Sequence, residues 1–152
     1  AVARQQREEE GRGGPPRQEG EALMRYTDPV AVVRGAVTAA TGAQTARVLQ
    51  PGFTEGPMPL VHVHTIQTQD LDFERVTTLG IDVYATTPTN PGTTGAEALA
   101  DAVVEALRAR PVVSEAGWVD SAETQSATGV RPYYGEVETV GLVVDIVHRP
   151  TN

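Results

Sequence analysis

The sequence predicts an α+β domain, with a mixed, mostly antiparallel sheet and two helices on one face. Two observations favour this class. First, the predicted elements follow the order α-β-β-β-α-β-β, which clusters the strands between only two helices. Second, the two longest predicted strands, at 75–85 and 136–148, each have one almost wholly apolar face and one mixed face. We expect the mixed face to be partly covered by another subunit.

The first 24 residues differ from the rest of the chain. The run AVARQQREEEGRGGPPRQEGE contains no apolar residue larger than alanine after Val2. Such a segment cannot bury enough surface to offset the entropy lost on ordering. We therefore predict an extended N-terminal tail at 1–24 and one domain at 25–152. The tail is expected to lie against a neighbouring subunit or partner; an internal translation start at Met24 is the alternative explanation of the extension.

The first predicted helix begins with Asp28 as an N-cap acceptor and Pro29 at its first helical position, and it ends at Gly42. Its apolar residues recur at helical spacing: Val30, Val33, Val37 and Ala40. Two strands are predicted next, at 46–50 and 60–67, with a Gly/Pro-rich breaker run between them.

The strand at 75–85 leads through a Gly/Pro-rich turn into the second predicted helix, at 96–110. Thr94 and Glu97 have the spacing of a capping box at the start of this helix, and Pro111 ends it. The remaining predicted elements are a strand at 117–124 that contains few apolar residues, a loop at 126–135 and the long strand at 136–148.

Net charge and composition exclude several classes of function. The chain has a formal net charge of −8, and because residues 1–25 balance to zero, residues 26–152 carry all of it. An acidic body repels phosphate backbones, so tight nucleic-acid binding is not expected. There are no cysteines, which excludes disulfides and thiolate chemistry. No apolar run is long enough for a membrane span, and we expect a soluble protein made in a cytoplasm.

Residues with catalytic or metal-binding potential are few. His62 and His64 lie two apart on a predicted strand, so both rings point to one side and could share a metal ion, with His148 or Asp70 as a third ligand. The third ligand lacks a diagnostic spacing, and Leu60 and Ile66 flank the pair on the same face. A structural role is therefore the preferred interpretation, and no metal and no cofactor are predicted. The sequence also lacks a nucleophile elbow and a phosphate-binding loop, so no enzyme is predicted.

Exposed aromatic and acidic side chains are the candidate functional residues. Phe53, Tyr133 and Tyr134 lie in Gly/Pro-bounded loops, and with Glu55 they are predicted to contact partners. The alternative is that these rings fold back onto the edge of their own domain. A ladder of acids on the second helix is predicted to be a solvated face, or else a negative wall that faces DNA or a partner: Glu97, Asp101 and Glu105.

Several segments, taken in order, resemble tail terminator proteins of long-tailed, siphovirus-type bacteriophages, particularly those that infect actinobacteria. The resemblance covers residues 25–149. It rests on the order of the elements and on these segments: Asp28-Pro29, LVHV at 60–63, LGIDVYA at 79–85, ALADAVVEAL at 98–107, GWVD at 117–120 and VGLVVDIVHR at 140–149.

This resemblance implies a small subunit of a six-membered ring that caps the tail tube, stops its polymerisation and joins it to the head-side connector or stopper. The tail tube protein and the connector would be its axial partners, and tape-measure protein and DNA would pass through its lumen without specific binding. It implies a virion location in the tail or neck after assembly in the host cytoplasm. The alternatives are another neck protein, either stopper or adaptor, and a small metal-binding module that uses His62 and His64.

Overall fold

The computed structural model describes residues 25–88 and 95–151, and the predicted N-terminal tail lies outside them. In chain order the elements are β1 (Arg25–Tyr26), α1 (Pro29–Thr41), β2 (Gln44–Ala46), a 3₁₀ turn (Phe53–Glu55), β3 (Leu60–Asp70), β4 (Arg75–Thr86), α2 (Ala96–Ala106), β5 (Val112–Ser114), β6 (Gly117–Val119), β7 (Ser121–Ala127), β8 (Arg131–Tyr134), β9 (Val137–His148) and β10 (Pro150–Thr151).

The main sheet has the strand order β2-β3-β4-β9-β7, and β8 also pairs with β9. Only the short β2–β3 pair is parallel; the other pairs in this sheet are antiparallel. Both helices pack on the same face of the sheet, where their apolar side chains join those of β3, β4 and β9 in one core. The predicted α+β class, with a mostly antiparallel sheet and two helices on one face, is confirmed.

The core follows the predicted alternation along the two central strands. Ile81 lies opposite Leu142, and Leu79 lies opposite Val144, with Val63 of β3 on the other side of Ile81. All five side chains are at most 2% exposed. Burying an aliphatic side chain of this size stabilises the fold by about 1.5–3 kcal/mol. These strands therefore form a rigid platform on which the surface side chains are displayed.

Helix α1 begins and ends as the sequence predicts. The Asp28 carboxylate accepts a hydrogen bond from the Val30 N–H at 3.0 Å, which satisfies a donor that the first helical turn cannot satisfy internally. At the other end, Gly42 adopts a left-handed conformation with φ 75°, and its N–H donates to the Thr38 carbonyl.

Helix α2 is capped differently from the prediction. Its N-cap is Gly95, which makes no side-chain capping bond, and Thr94 lies outside the described residues. A distant carboxylate supplies the cap instead: Glu138 Oε2 on β9 accepts a hydrogen bond from the Ala96 N–H at 2.9 Å. A negative charge at this position also complements the helix dipole. The helix ends at Ala106, before the predicted end at residue 110. The N–H groups of buried Leu107 and of Arg108 donate to carbonyls three residues earlier, those of Val104 and Glu105, and these bonds tighten the last turn.

Two strand predictions and one loop prediction are corrected. The predicted strand at 46–50 is instead β2, which pairs with the start of β3. The predicted strand at 117–124 divides at Asp120, since β6 pairs with β5 and β7 pairs with β9. The predicted loop at 126–135 contains β8, which pairs with β9 through backbone contacts that its side-chain pattern does not reveal. Neither helix in the described part of the chain has the length or the apolar character needed to cross a bilayer.

Candidate functional site

Three aromatic rings from three separate elements pack together at the end of the sheet where β3 begins and β4 ends. The ring centroids of Phe53 and Tyr84 are 4.9 Å apart, those of Tyr84 and Tyr133 are 5.0 Å apart, and those of Phe53 and Tyr133 are 5.7 Å apart. Tilted and edge-to-face arrangements at these distances are favourable. With the adjoining Tyr134, these residues form what we call the aromatic patch.

Local backbone geometry places each ring of this patch. Gly52 adopts a left-handed conformation with φ 75°, which glycine tolerates without strain, and this turns the chain into the 3₁₀ turn that carries Phe53. Tyr133 and Tyr134 lie on β8, where Tyr134 is paired with Val137 of β9.

The aromatic patch has a buried base and an exposed rim. Tyr84 is 5% exposed, whereas Tyr133 is 48% and Tyr134 67% exposed. Burial, together with the nearby Asp82 carboxylate, raises the pKa of Tyr84 to about 12. Glu55 is exposed and, with Phe53 and the two outer tyrosines, lines a shallow groove. The predicted loop aromatics thus come together and fold back onto the domain while still presenting apolar surface.

Tyr84 provides the base of the patch and is not among the site residues predicted from the sequence. Its position on the mixed face at the end of a long strand, directly before a breaker run, is the signal that could have identified it. A partner role for Phe53, Glu55, Tyr133 and Tyr134 stays a prediction.

A second exposed apolar surface lies at the opposite end of the sheet. The β3–β4 hairpin ends in a tight turn in which the Leu71 N–H donates to the Glu74 carbonyl at 2.8 Å. In this turn Leu71 is 45% and Phe73 85% exposed, and Ile66, at the bulge in the middle of β3, is 52% exposed. We call Leu71 and Phe73 the hairpin tip. Because β3 is 11 residues long, the hairpin tip lies about 35 Å from the aromatic patch. No function was predicted from the sequence for these residues.

A bidentate ion pair closes the turn between β3 and β4. Arg75 Nε and Nη2 donate to the two carboxylate oxygens of Asp70 at 2.6 and 3.3 Å. These hydrogen bonds lower the pKa of the Asp70 carboxyl. The Arg75 guanidinium also lies 3.8 Å from the centroid of the Tyr26 ring. Asp70 therefore pairs with Arg75 at the turn end of β3 and not with His62 or His64. The prediction of Asp70 as their third ligand is wrong.

His148 is also excluded as that third ligand. Its ring is 2% exposed on the helix-covered face of the sheet, where Nε2 lies 3.0 Å from Thr77 Oγ1. Burial, and to a lesser extent the positive charge of Arg75, lower the pKa of His148.

The two other histidines meet a different carboxylate. His62 and His64 of β3 and Asp82 of β4 lie on the sheet face that points away from both helices, which we call the open face; no helix in the described ranges covers it. His64 Nε2 is 3.2 Å and His62 Nδ1 3.7 Å from Asp82 Oδ2. Burial is the main cause that lowers the pKa of His62. The donor atoms of the three residues lie within 4.8 Å of one another and could hold a metal ion.

The acidic ladder of α2 is where the sequence predicts it. Glu97, Asp101 and Glu105 are all exposed on the solvent side of the helix. Glu105 has a neighbouring cation, since Arg108 Nε lies 3.6 Å away, but both side chains are more than 70% exposed, so this pair contributes little. The ladder forms a negative strip on the helical side of the domain.

Both lateral edges of the main sheet offer backbone groups for pairing. On one side, β2 covers only Leu60–His62 of β3, so the remainder of that strand has no outer neighbour among the described residues. On the other side, β7 pairs with β9 and has no further neighbour in the part of the chain that the structure describes. Unpaired edges are templates for strand addition by another chain.

Comparisons with known proteins identify the family. Among solved structures, a chain from "Virion of native gene transfer agent (GTA) particle" is similar at 20% sequence identity, with coverage of 76% of this chain and 84% of that chain and a TM-score of 0.48. No curated protein matches the sequence. The family described as Tail completion protein gp17 matches residues 31–149, from the first turn of α1 to the end of β9. Since this match covers well over half of the chain, the protein belongs to the tail completion protein gp17 family and is a structural component of the virion tail and neck.

Proposed function

We propose that the protein is the tail terminator of a siphovirus-type phage of actinobacteria, a closed hexameric ring that caps the tail tube and joins it to the head-side connector. The observation that supports this most strongly is the position of two exposed apolar surfaces, the aromatic patch and the hairpin tip, at opposite ends of one rigid sheet. A joining protein must hold two different partners along one axis, and this arrangement supplies a surface for each.

The aromatic patch is suited to an axial contact. Tyrosine rings offer large contact area at a small entropic cost and are over-represented among the residues that dominate binding energy. Tyr133 is anchored from below by Tyr84, Tyr134 adjoins it along the groove, and Glu55 places a negative charge at the rim. In this proposal Phe53, Glu55, Tyr133 and Tyr134 contact one axial partner, and the hairpin tip contacts the other.

Lateral contacts in the ring would use the two edges of the sheet. A closed ring requires head-to-tail interfaces, in which two different patches of each subunit meet. The free part of β3 and the outer side of β7 are two such patches on opposite sides of the domain. The N-terminal tail at 1–24, which lies outside the described residues, is proposed to lie across a neighbouring subunit.

The acidic strip of α2 is proposed to line the lumen. Each cationic contact with DNA releases counterions and adds affinity, so a negative lining lets DNA pass without adhering. Glu97, Asp101 and Glu105 provide such a lining, and the net charge of −8 acts in the same direction. Tape-measure protein would pass through the same opening.

The test is an assembly reaction with purified tail tube protein. With the terminator present, tubes should be shorter and more uniform, and each should carry one cap. Capture of a portal-side ring protein in place of tube protein would instead identify a stopper or adaptor. Tubes of unchanged length that lack a cap, with no capture of either partner, would contradict the proposal.

A further inference from the structure

We infer that His62, His64 and Asp82 form a binding site for a divalent transition-metal ion of the zinc type. The three side chains come from the two neighbouring strands β3 and β4, where His62 lies directly opposite Asp82 and His64 directly opposite Gly80. One carboxylate oxygen, Asp82 Oδ2, is approached by a ring nitrogen of each histidine, at 3.2 and 3.7 Å. This inference is independent of ring formation, because all three ligands belong to one chain.

The hydrogen bonding of His62 fixes which nitrogen is available. Its Nε2 lies 3.0 Å from the Arg47 carbonyl oxygen, which can only accept, so Nε2 carries the proton. In the neutral ring Nδ1 is then a bare lone pair. This Nδ1 is buried, has no hydrogen-bond partner and faces the Asp82 carboxylate. A lone pair directed at an anion is unfavourable unless a cation lies between them.

This is the arrangement that metal-binding histidines usually have. Their second ring nitrogen donates to a backbone carbonyl or a carboxylate, which fixes the tautomer and the orientation of the ring. Arg47 provides that carbonyl for His62. The Arg47 carbonyl therefore orients the His62 ring from outside the set of three ligands. A chance cluster of polar surface groups would not need such a hydrogen bond.

Gly80 makes room for the second histidine. The rings of His62 and His64 stack with centroids 4.6 Å apart, so that both edges turn toward Asp82. A Cβ on Gly80 would lie 2.5 Å from His64 Cε1 and 2.6 Å from its Nε2, closer than nonbonded atoms approach. The absence of a side chain at this position lets the His64 ring lie across β4.

The ligand set selects the class of ion. Two imidazoles and one carboxylate suit zinc, cobalt and nickel, whereas magnesium and calcium prefer oxygen ligands throughout. The donor atoms lie within 4.8 Å of one another, so small side-chain rotations bring all three to zinc bond lengths of about 2.0–2.2 Å. His64 is 36% and Asp82 35% exposed, which gives an ion access from the open face and leaves a coordination position for water.

The test is titration of the purified full chain, freed of metal by a chelator, with Zn²⁺ by calorimetry and with Co²⁺ by visible absorption. We expect one ion per chain and d–d bands of a cobalt site with nitrogen ligands. Asp82→Asn and His64→Gln should each weaken binding about tenfold or more. Gly80→Ala keeps all three ligands but displaces the His64 ring, and it should also weaken binding.

Asp145→Asn is the matched control. Asp145 lies on the same open face and is hydrogen-bonded to Thr78 at 2.7 Å, away from the histidines. This variant should bind metal as the wild type does. Circular dichroism establishes that each variant is folded. An absence of saturable binding by the wild type, or binding that the Asp82 and His64 variants retain in full, would overturn the inference.

Discussion

The ring of Phe53 meets the ring of Tyr84 edge to face, with centroids 4.9 Å apart and an interplanar angle of 67°. This contact ties the segment between β2 and β3 to the end of β4. Tyr133 of β8 packs against both rings. The aromatic patch is therefore supported by the sheet, and partners can bind it without ordering a flexible loop, which lowers the entropic cost of association.

Tyr134→Ala tests the aromatic patch. Tyr134 is 67% exposed, so we expect the free energy of unfolding to change by no more than about 0.5 kcal/mol. Affinity for one axial partner should fall by about 2 kcal/mol or more if the ring is a dominant contact. Val113→Ala, a control on the β5–β6 hairpin that is 62% exposed, should leave affinity unchanged. Equal affinities of Tyr134→Ala and wild type for both axial partners, measured by calorimetry, would remove the patch from the interface.

Phe73→Ser tests the hairpin tip. The side chain is 85% exposed, so its loss should not lower the melting temperature measurably. We expect loss of binding to one axial partner and retention of the partner that the aromatic patch binds. Asp72→Ser changes an exposed neighbour in the same turn and serves as the control. Pull-down with each partner separately gives the result, and a Phe73→Ser protein that binds both partners normally would argue against two-ended joining.

Charge reversal on α2 tests the lumen assignment. Asp101→Lys turns part of the acidic strip positive, and Glu115→Lys gives the same change in net charge at an exposed position in the turn between β5 and β6. If the strip lines the lumen, the first variant should slow DNA passage and reduce the infectivity of assembled particles because new cationic contacts retain DNA. The second variant should have little effect. Similar infectivity for the two variants would place the strip outside the channel.

His148 predicts how stability depends on pH. Burial first, and the charge of Arg75 second, lower the pKa of this histidine in the folded chain below its ordinary value near 6.5. The unfolded state therefore binds the proton more readily, so stability is full above that ordinary pKa and falls as the pH drops below it. The loss is at most about 1.4 kcal/mol per pH unit for one group.

Urea unfolding between about pH 7.5 and pH 5 in the presence of a chelator measures this dependence. His148→Gln should flatten the slope relative to wild type. Some slope should remain, because burial also lowers the pKa of His62. A variant with the same slope as wild type would show that His148 does not contribute to it.

The sequence predicts the elements whose signals are local. Helix α1 carries its own cap at Asp28 and its own stop at Gly42, and both are observed. The alternation in β4 and β9 correctly identifies the helix-covered face, since each strand has long apolar runs at period two. Local chemistry does not determine the start of α2, because its cap comes from Glu138 on a strand 42 residues away.

The candidate sites likewise combine residues that the sequence identifies with neighbours that only the fold supplies. The sequence identifies Phe53 and Tyr133 as loop aromatics, but only the pairing of β8 with β9 brings them together over Tyr84. Likewise, His62 and His64 are a visible pair, whereas Asp82 becomes their neighbour through the register of β3 against β4. Register between strands depends on the whole sheet and on a bulge between Thr65 and Gln67, which no short stretch of sequence encodes.

Electron microscopy of the purified protein with assembled tail tubes tests the central claim most directly. The proposal predicts closed rings with sixfold symmetry in end-on views and one ring at a single end of each tube. Monomers that neither form rings nor attach to tube ends would contradict it.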